Sequence, residues 1–131
     1  MSSYLNLYLR TKEKNDKKSE DLFLMSFSRN SEVYSYMNEE LPNLYSSEGQ
    51  LKEITTTSIS NIIRELEETL KEQHELYQVY KDCKETQSAI ETKKYIRELR
   101  NTLGQFNFIS LILIECSFNY TDFKGLYGFI D

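Results

Sequence analysis

The sequence predicts an α+β protein: a small antiparallel sheet of two to three strands with one short helix, docked on a long antiparallel two-helix coiled-coil hairpin. Three observations carry that expectation. Residues 3–10 alternate apolar and polar side chains, the period of a half-buried strand, and residues 22–28 form a second such run. From residue 58 onward apolar residues recur at steps of three and four, the period of a helical seam. A polar break at Lys84 to Gln87 divides that second pattern in two.

In the first strand, residues 3–10, Leu5, Leu7 and Leu9 fall on one face, with Tyr4, Asn6, Tyr8 and Arg10 on the other. A second strand over 22–28 sets Phe23, Met25 and Phe27 on one side. Between them, Thr11 to Asp21 holds eight charged residues of eleven and reads as a solvated hairpin loop, so the two strands pair antiparallel. Ser28-Arg29-Asn30-Ser31-Glu32 then clusters helix-capping side chains before an acid. A short helix over 31–41 follows, with Val33, Tyr36, Met37 and Leu41 at helical spacing, and Pro42 ends it. Residues 43–50 read as loop and Leu51 to Thr55 as a short third strand.

The first long helix runs from Ser58 to Cys83 on a seam of Ile59, Ile63, Leu66, Leu70, Gln73, Tyr77 and Tyr80, widened by Ile62, Leu76 and Val79. Ser88-Ala89-Ile90-Glu91 has the form of a capping box and predicts the start of the second helix. Its seam is Ala89, Thr92, Ile96, Leu99, Leu103, Phe106, Ser110 and Leu113. Both helices come out at about 40 Å, and matched rods joined by a short turn fold into a hairpin. The stretch Phe106, Phe108, Ile109, Leu111 to Ile114 is apolar nearly all round, so it calls for cover on every side and marks where the sheet docks. The domain expectation is one unit over 1–131: sheet and short helix in 1–56, hairpin in 57–117, and an aromatic tail in 118–131 that packs on the sheet.

Composition narrows the function classes. The chain has 131 residues and a net charge of −5, which disfavours a dedicated phosphate-backbone binder. The N-terminus lacks the basic and apolar regions of a signal peptide, and the most apolar run, Phe106 to Phe118, is too short and polar to cross a bilayer. Cys83 and Cys116 then read as free thiols, and the cytoplasm of a bacterium or of an infected host cell is the expected compartment.

Few residues suit chemistry. The one histidine, His74, has Leu70, Lys71, Tyr77 and Gln78 at the helical co-ligand positions, so no metal is expected. Glu67, Glu68, Glu72 and Glu75 read as a solvated helix face, and the four glycines fit no phosphate loop. No catalytic residue, metal or cofactor is expected, and the chain reads as no enzyme. Lys93, Lys94, Arg97 and Arg100 make a basic stretch whose economical reading is charge complementarity with the acidic first arm.

Two surfaces remain. A strand feeding a helix N-terminus gathers hydroxyls, backbone N–H groups and a cation at Ser28, Arg29, Asn30 and Ser31, with Tyr4 and Tyr8 beside it, the ingredients of a small anion site. The plain alternative is that Asn30 or Ser31 caps the helix and Arg29 sits in solvent. On the distal hairpin, Leu76, Tyr77, Val79, Tyr80, Ile90 and Tyr95 offer more apolar area than one two-helix contact hides, which points to a homo-oligomer, a dimer or higher.

Tyr4 to Leu9, Leu24 to Tyr34 and the closing Tyr120-Thr121-Asp122-Phe123 resemble small phage and prophage proteins of AT-rich bacteria. That resemblance implies an accessory protein acting on a host or defence component, and it transfers no catalytic residue. The expectation is a non-enzymatic interaction protein with a protein partner. A small anionic-ligand or nucleotide binder, and a virion or assembly component, are the alternatives.

Overall fold

A computed structural model describes residues 4–11, 20–42, 44, 51–119 and 122–130. The elements run β1 (Tyr4–Thr11), β2 (Asp21–Ser28), α1 (Glu32–Glu40), β3 (Lys52–Ile54), α2 (Thr56–Asp82), α3 (Thr86–Asn119) and β4 (Phe123–Ile130). The α+β class and the helical hairpin stand as expected. The sheet has four strands rather than two or three, in the order β2-β1-β4-β3, every pair antiparallel. The tail supplies the extra strand: β4 lies inside the sheet, between β1 and β3. The expected charged loop falls at 12–19 and most of the expected loop after α1 falls at 43 and 45–50, outside the described residues.

Alternation holds in β1, where Leu5 and Leu7 are wholly buried. In β2 it slips. Leu7 pairs with Met25 but Tyr8 pairs with Phe23, so Leu24 is an extra residue in the ladder. One inserted residue reverses the faces beyond it. Met25 and Phe27 pack on the core as expected, whereas Phe23 turns to the opposite face and meets the Tyr8 ring edge-on at 5.7 Å. A second irregularity sits where Arg10 pairs with Gly125 and Thr11 with Phe123. Gly125 adopts φ 148 there, a conformation that side chains with a Cβ rarely take.

Helix α1 begins as its sequence dictates. The Ser31 hydroxyl accepts a hydrogen bond from the Tyr34 N–H at 3.2 Å, and Leu41 before Pro42 leaves helical geometry at φ −129, ψ 68. Thr55 plays the same part for α2, accepting from the Ser58 N–H at 3.2 Å. The hairpin turns at Cys83 to Glu85, with Lys84 at φ 58. Ser88 is not a cap: Ala89 N–H donates to the Glu85 carbonyl at 3.0 Å, so α3 is already under way and begins at Thr86. The arms are unequal, 27 residues against 34. The longer arm carries α3 beyond the root of α2.

The buried positions of α3 are Thr92, Ile96, Leu99, Thr102, Phe106, Ile109 and Leu113. Thr102 and Ile109 take the places expected of Leu103 and Ser110, and on α2 Ile62 is buried more completely than Ile63. The seam itself does not drift, since Ile96, Leu99, Phe106 and Leu113 keep their expected places; only at those two steps does the residue one position earlier turn inward. Threonine is tolerated inside because Thr92 and Thr102 hydroxyls donate to the carbonyls of Ser88 and Glu98, at 2.8 and 3.1 Å. One apolar cluster joins the sheet, α1 and the hairpin root, with Phe106 at its centre against Tyr36, ring to ring at 6.3 Å.

Candidate functional site

Two regions were candidate sites in the sequence, and the structure treats them differently. At the strand–helix turn, Ser31 spends its hydroxyl on the Tyr34 N–H, and its own N–H donates to the Ser28 carbonyl at 3.0 Å. Arg29 and Asn30 are exposed. Tyr4 stands opposite Ser28 in the β1–β2 ladder, so those two are brought together. Tyr8 lies four residues further along β1, roughly 13 Å by strand rise, and pairs with Phe23 instead. The arrangement is that of a capped helix.

At the hairpin tip, Leu76, Val79, Ile90 and Tyr95 are exposed, while Tyr77 and Tyr80 are half-buried between the arms. The two tyrosines line a cleft with Lys81, Lys84, Ala89 and Lys93. Further along, His74 and Arg100 meet across the arms, the guanidinium donating to Nε2 at 3.2 Å. Among the described residues no salt bridge joins the acidic arm to the basic one. Their charges face solvent, where single pairs contribute little.

The side of the sheet away from the helices carries a row the sequence only half disclosed. Tyr8 and Phe23 touch there, and Tyr127 pairs with Tyr8 across β1 and β4. The Arg10 guanidinium lies 3.9 Å above the Tyr127 ring. It also grips Asp21 with two hydrogen bonds, Nε to Oδ1 at 2.7 Å and Nη2 to Oδ2 at 3.0 Å. That carboxylate raises the Arg10 pKa further above its ordinary value and neutralises its charge. The row is aromatic, and Glu53, paired with Tyr127 across β3 and β4, adds a second carboxylate beside it. Phe23 joins it only through the extra residue in β2, a signal that no periodicity count contains.

The root of α3 also exposes an apolar surface. Phe108, Leu111, Ile114 and Phe118 are all more than half exposed, at 53, 55, 51 and 85%. The expected cover on every side is therefore incomplete: sheet and α2 take one flank and leave the other open.

Chemistry has little to work with. Among the described residues no group of three His, Cys, Asp or Glu is placed to hold a metal. Burial pushes the Cys116 thiol up from its ordinary value, and Glu115 adds to it, the reverse of what activates a thiolate. Burial likewise pushes Tyr36 up to about 12, which keeps it protonated. No helix among the described residues is long and apolar enough to cross a membrane. Compared with models of protein families, with curated proteins and with solved structures, the chain matches none.

Proposed function

We propose that this chain is a non-enzymatic interaction protein that self-associates through its helical hairpin and binds a protein partner on the outer face of its sheet. The supporting observation is the uncovered apolar surface on α3, from Phe108 to Phe118. Contiguous exposed apolar patches on soluble chains mark interaction surfaces. The sheet face suits protein better than nucleic acid, because the cation in its aromatic row, Arg10, is already held by Asp21 and stacked on Tyr127. Aromatic residues with a neutralised arginine resemble the centre of protein interfaces rather than a phosphate-binding groove. The resemblance to phage and prophage proteins adds a host or defence protein as the partner class.

Sedimentation velocity over the micromolar range tests the first half. A species heavier than the 15.6 kDa chain is expected, and a 15.6 kDa species throughout overturns self-association. For the second half, affinity capture with Phe23→Asp beside the wild-type chain should lose a protein the wild type retains. Equal recovery by both removes the sheet face from the reading.

A further inference from the structure

The basic residues of α3 make no salt bridge with the acidic arm; they border a groove that repeats along the hairpin. Two clefts of about 280 and 260 Å³ lie between α2 and α3 and share Tyr77 and Lys93. On α3 the first is bordered by Thr86, Ala89, Ile90 and Lys93, the second by Lys93, Ile96, Arg97 and Arg100. Each set is spaced i, i+3, i+4, i+7. The second set is the first moved on by seven residues, two helical turns or about 10.5 Å. Four residues around one opening form the hole into which a facing helix inserts a side chain. Tyr77, Tyr80, Ala89 and Ile96 are the half-buried or buried members of the linings, and the cations are the exposed ones.

Charge is sorted as sharply as shape. Lys81, Lys84, Lys93, Arg97 and Arg100 line the two clefts and no Asp or Glu does, in a chain whose net charge is −5. Glu91 and Glu98 fall about 130 to 150° round α3 from the centre of the Lys93, Arg97 and Arg100 face. Glu91 accepts from Gln87 at 3.1 Å and Asp82 from Gln78 at 3.0 Å, each within its own helix. Arg100 reaches only the imidazole of His74 across the groove.

We infer that this groove seats an acidic amphipathic helix of a partner protein. The helix sets one apolar side chain into each cleft, seven residues apart, and lays Asp or Glu along the cationic rim. The backbone groups of α2 and α3 are bonded within their own helices. An extended segment would therefore bring N–H and C=O groups that find no partner in the groove, whereas a helix arrives with its own satisfied. Each cleft is larger than the about 150 Å³ that holds a benzene ring, which gives room for a leucine or phenylalanine. Single exposed ion pairs contribute little, but five cations of one sign exclude a basic helix and orient an acidic one. A nucleic-acid strand would meet the same cations, yet it carries no side chain that recurs every two helical turns. The sheet face and the α3 root lie outside the groove, so this seat is separate from both surfaces proposed above.

A fluorescein-labelled peptide of three heptads is the probe, with leucine once per heptad, glutamate three and four residues after it, and alanine elsewhere. Fluorescence anisotropy should show it bound by the full chain. Affinity should fall at least tenfold when glutamine replaces the glutamates, and at least tenfold when alanine replaces the leucines. The double variant Lys93→Glu, Arg97→Glu changes two exposed residues and is checked for helix content by circular dichroism. It should lose the acidic peptide and bind a lysine version of it at least tenfold more tightly than the wild type does. Phe23→Asp on the sheet and Leu111→Asp on the α3 root should bind the acidic peptide as the wild type does. No binding by the wild type, or equal affinity for the glutamine or the alanine peptide, overturns the acidic helix. Tighter binding of a twelve-nucleotide oligothymidylate, lost in the same double variant, overturns it in favour of nucleic acid. A wild-type mass that falls in the double variant without any peptide overturns it in favour of a second copy.

Discussion

The root and the tip of the hairpin are built from the same kind of helix and hold together for different reasons. At the root, α2 and α3 share a core with α1 and the sheet, and Ile62, Leu66, Phe106 and Ile109 have no exposure at all. Beyond Leu70 on α2 no residue is buried, and the distal part of α3 buries only Thr92 before Ile96. The tip is two helices touching along one line. The difference teaches that a seam spacing specifies which side of a helix turns inward, while the number of layers packed on that side sets how much each residue contributes.

Phe106→Ala should break the root most severely. The side chain is fully buried and touches Tyr36 edge-on, so truncation opens a cavity among rigid neighbours. A loss of about 3–5 kcal/mol is expected. Urea unfolding at a fixed chain concentration measures it, since association contributes to apparent stability. A loss below about 1 kcal/mol would mean that the root is no better packed than the tip.

A smaller effect tests the junction between sheet and helices. Ser31→Ala removes the acceptor of the Tyr34 N–H at the start of α1, a helix that lays Val33 and Met37 on the same core. Such a cap contributes about 1 kcal/mol. Arg29→Ala, two residues away and exposed, should change stability by less than about 0.5 kcal/mol. If Arg29→Ala instead abolished a thermal shift produced by a nucleotide, the turn would be an anion site and not simply a cap.

How much of this was legible in the residues follows the same division. Helices with long apolar stripes announced themselves, as did the β1 alternation and the Pro42 stop. The Ser31 cap was half legible, because two adjacent residues could fill that role and only the geometry chose between them. What escaped depended on partners distant in sequence. Strand β4 has Gly125 and Gly128 within eight residues and no strong alternation, and it becomes a strand because β1 and β3 offer edges on both sides. Gly128 is needed there: a Cβ would lie 2.7 Å from Ile54 Cδ1. Period two sets Phe23 on the side of Met25 and Phe27 because it assumes an unbroken ladder, and the extra Leu24 breaks it. Ser88-Ala89-Ile90-Glu91 has the residues of a capping box, yet the turn at Lys84 lets the helix start at Thr86, ahead of it. Tyr8 and Tyr127 meet only once the tail has entered the sheet, so the aromatic face could not be assembled from the first strand alone.

The least costly change probes the tip. Val79 is 54% exposed, so Val79→Ala removes little buried surface while replacing a β-branched residue with the best helix former. The two effects oppose each other, and stability should stay within about 0.5 kcal/mol of the parent. Hydrogen exchange sharpens the contrast. Amides around residues 76–90 should open by fraying of the two-helix line, with far less protection than those around Leu66 and Phe106, which require disruption of the shared core. If self-association runs through the exposed face of α3, the tips remain uncovered, so their protection should not rise with chain concentration, whereas protection around residues 104–118 should. Concentration-dependent protection at Val79 with none at Leu111 would relocate the self-association to the tip and reverse the roles assigned to the two ends of the hairpin.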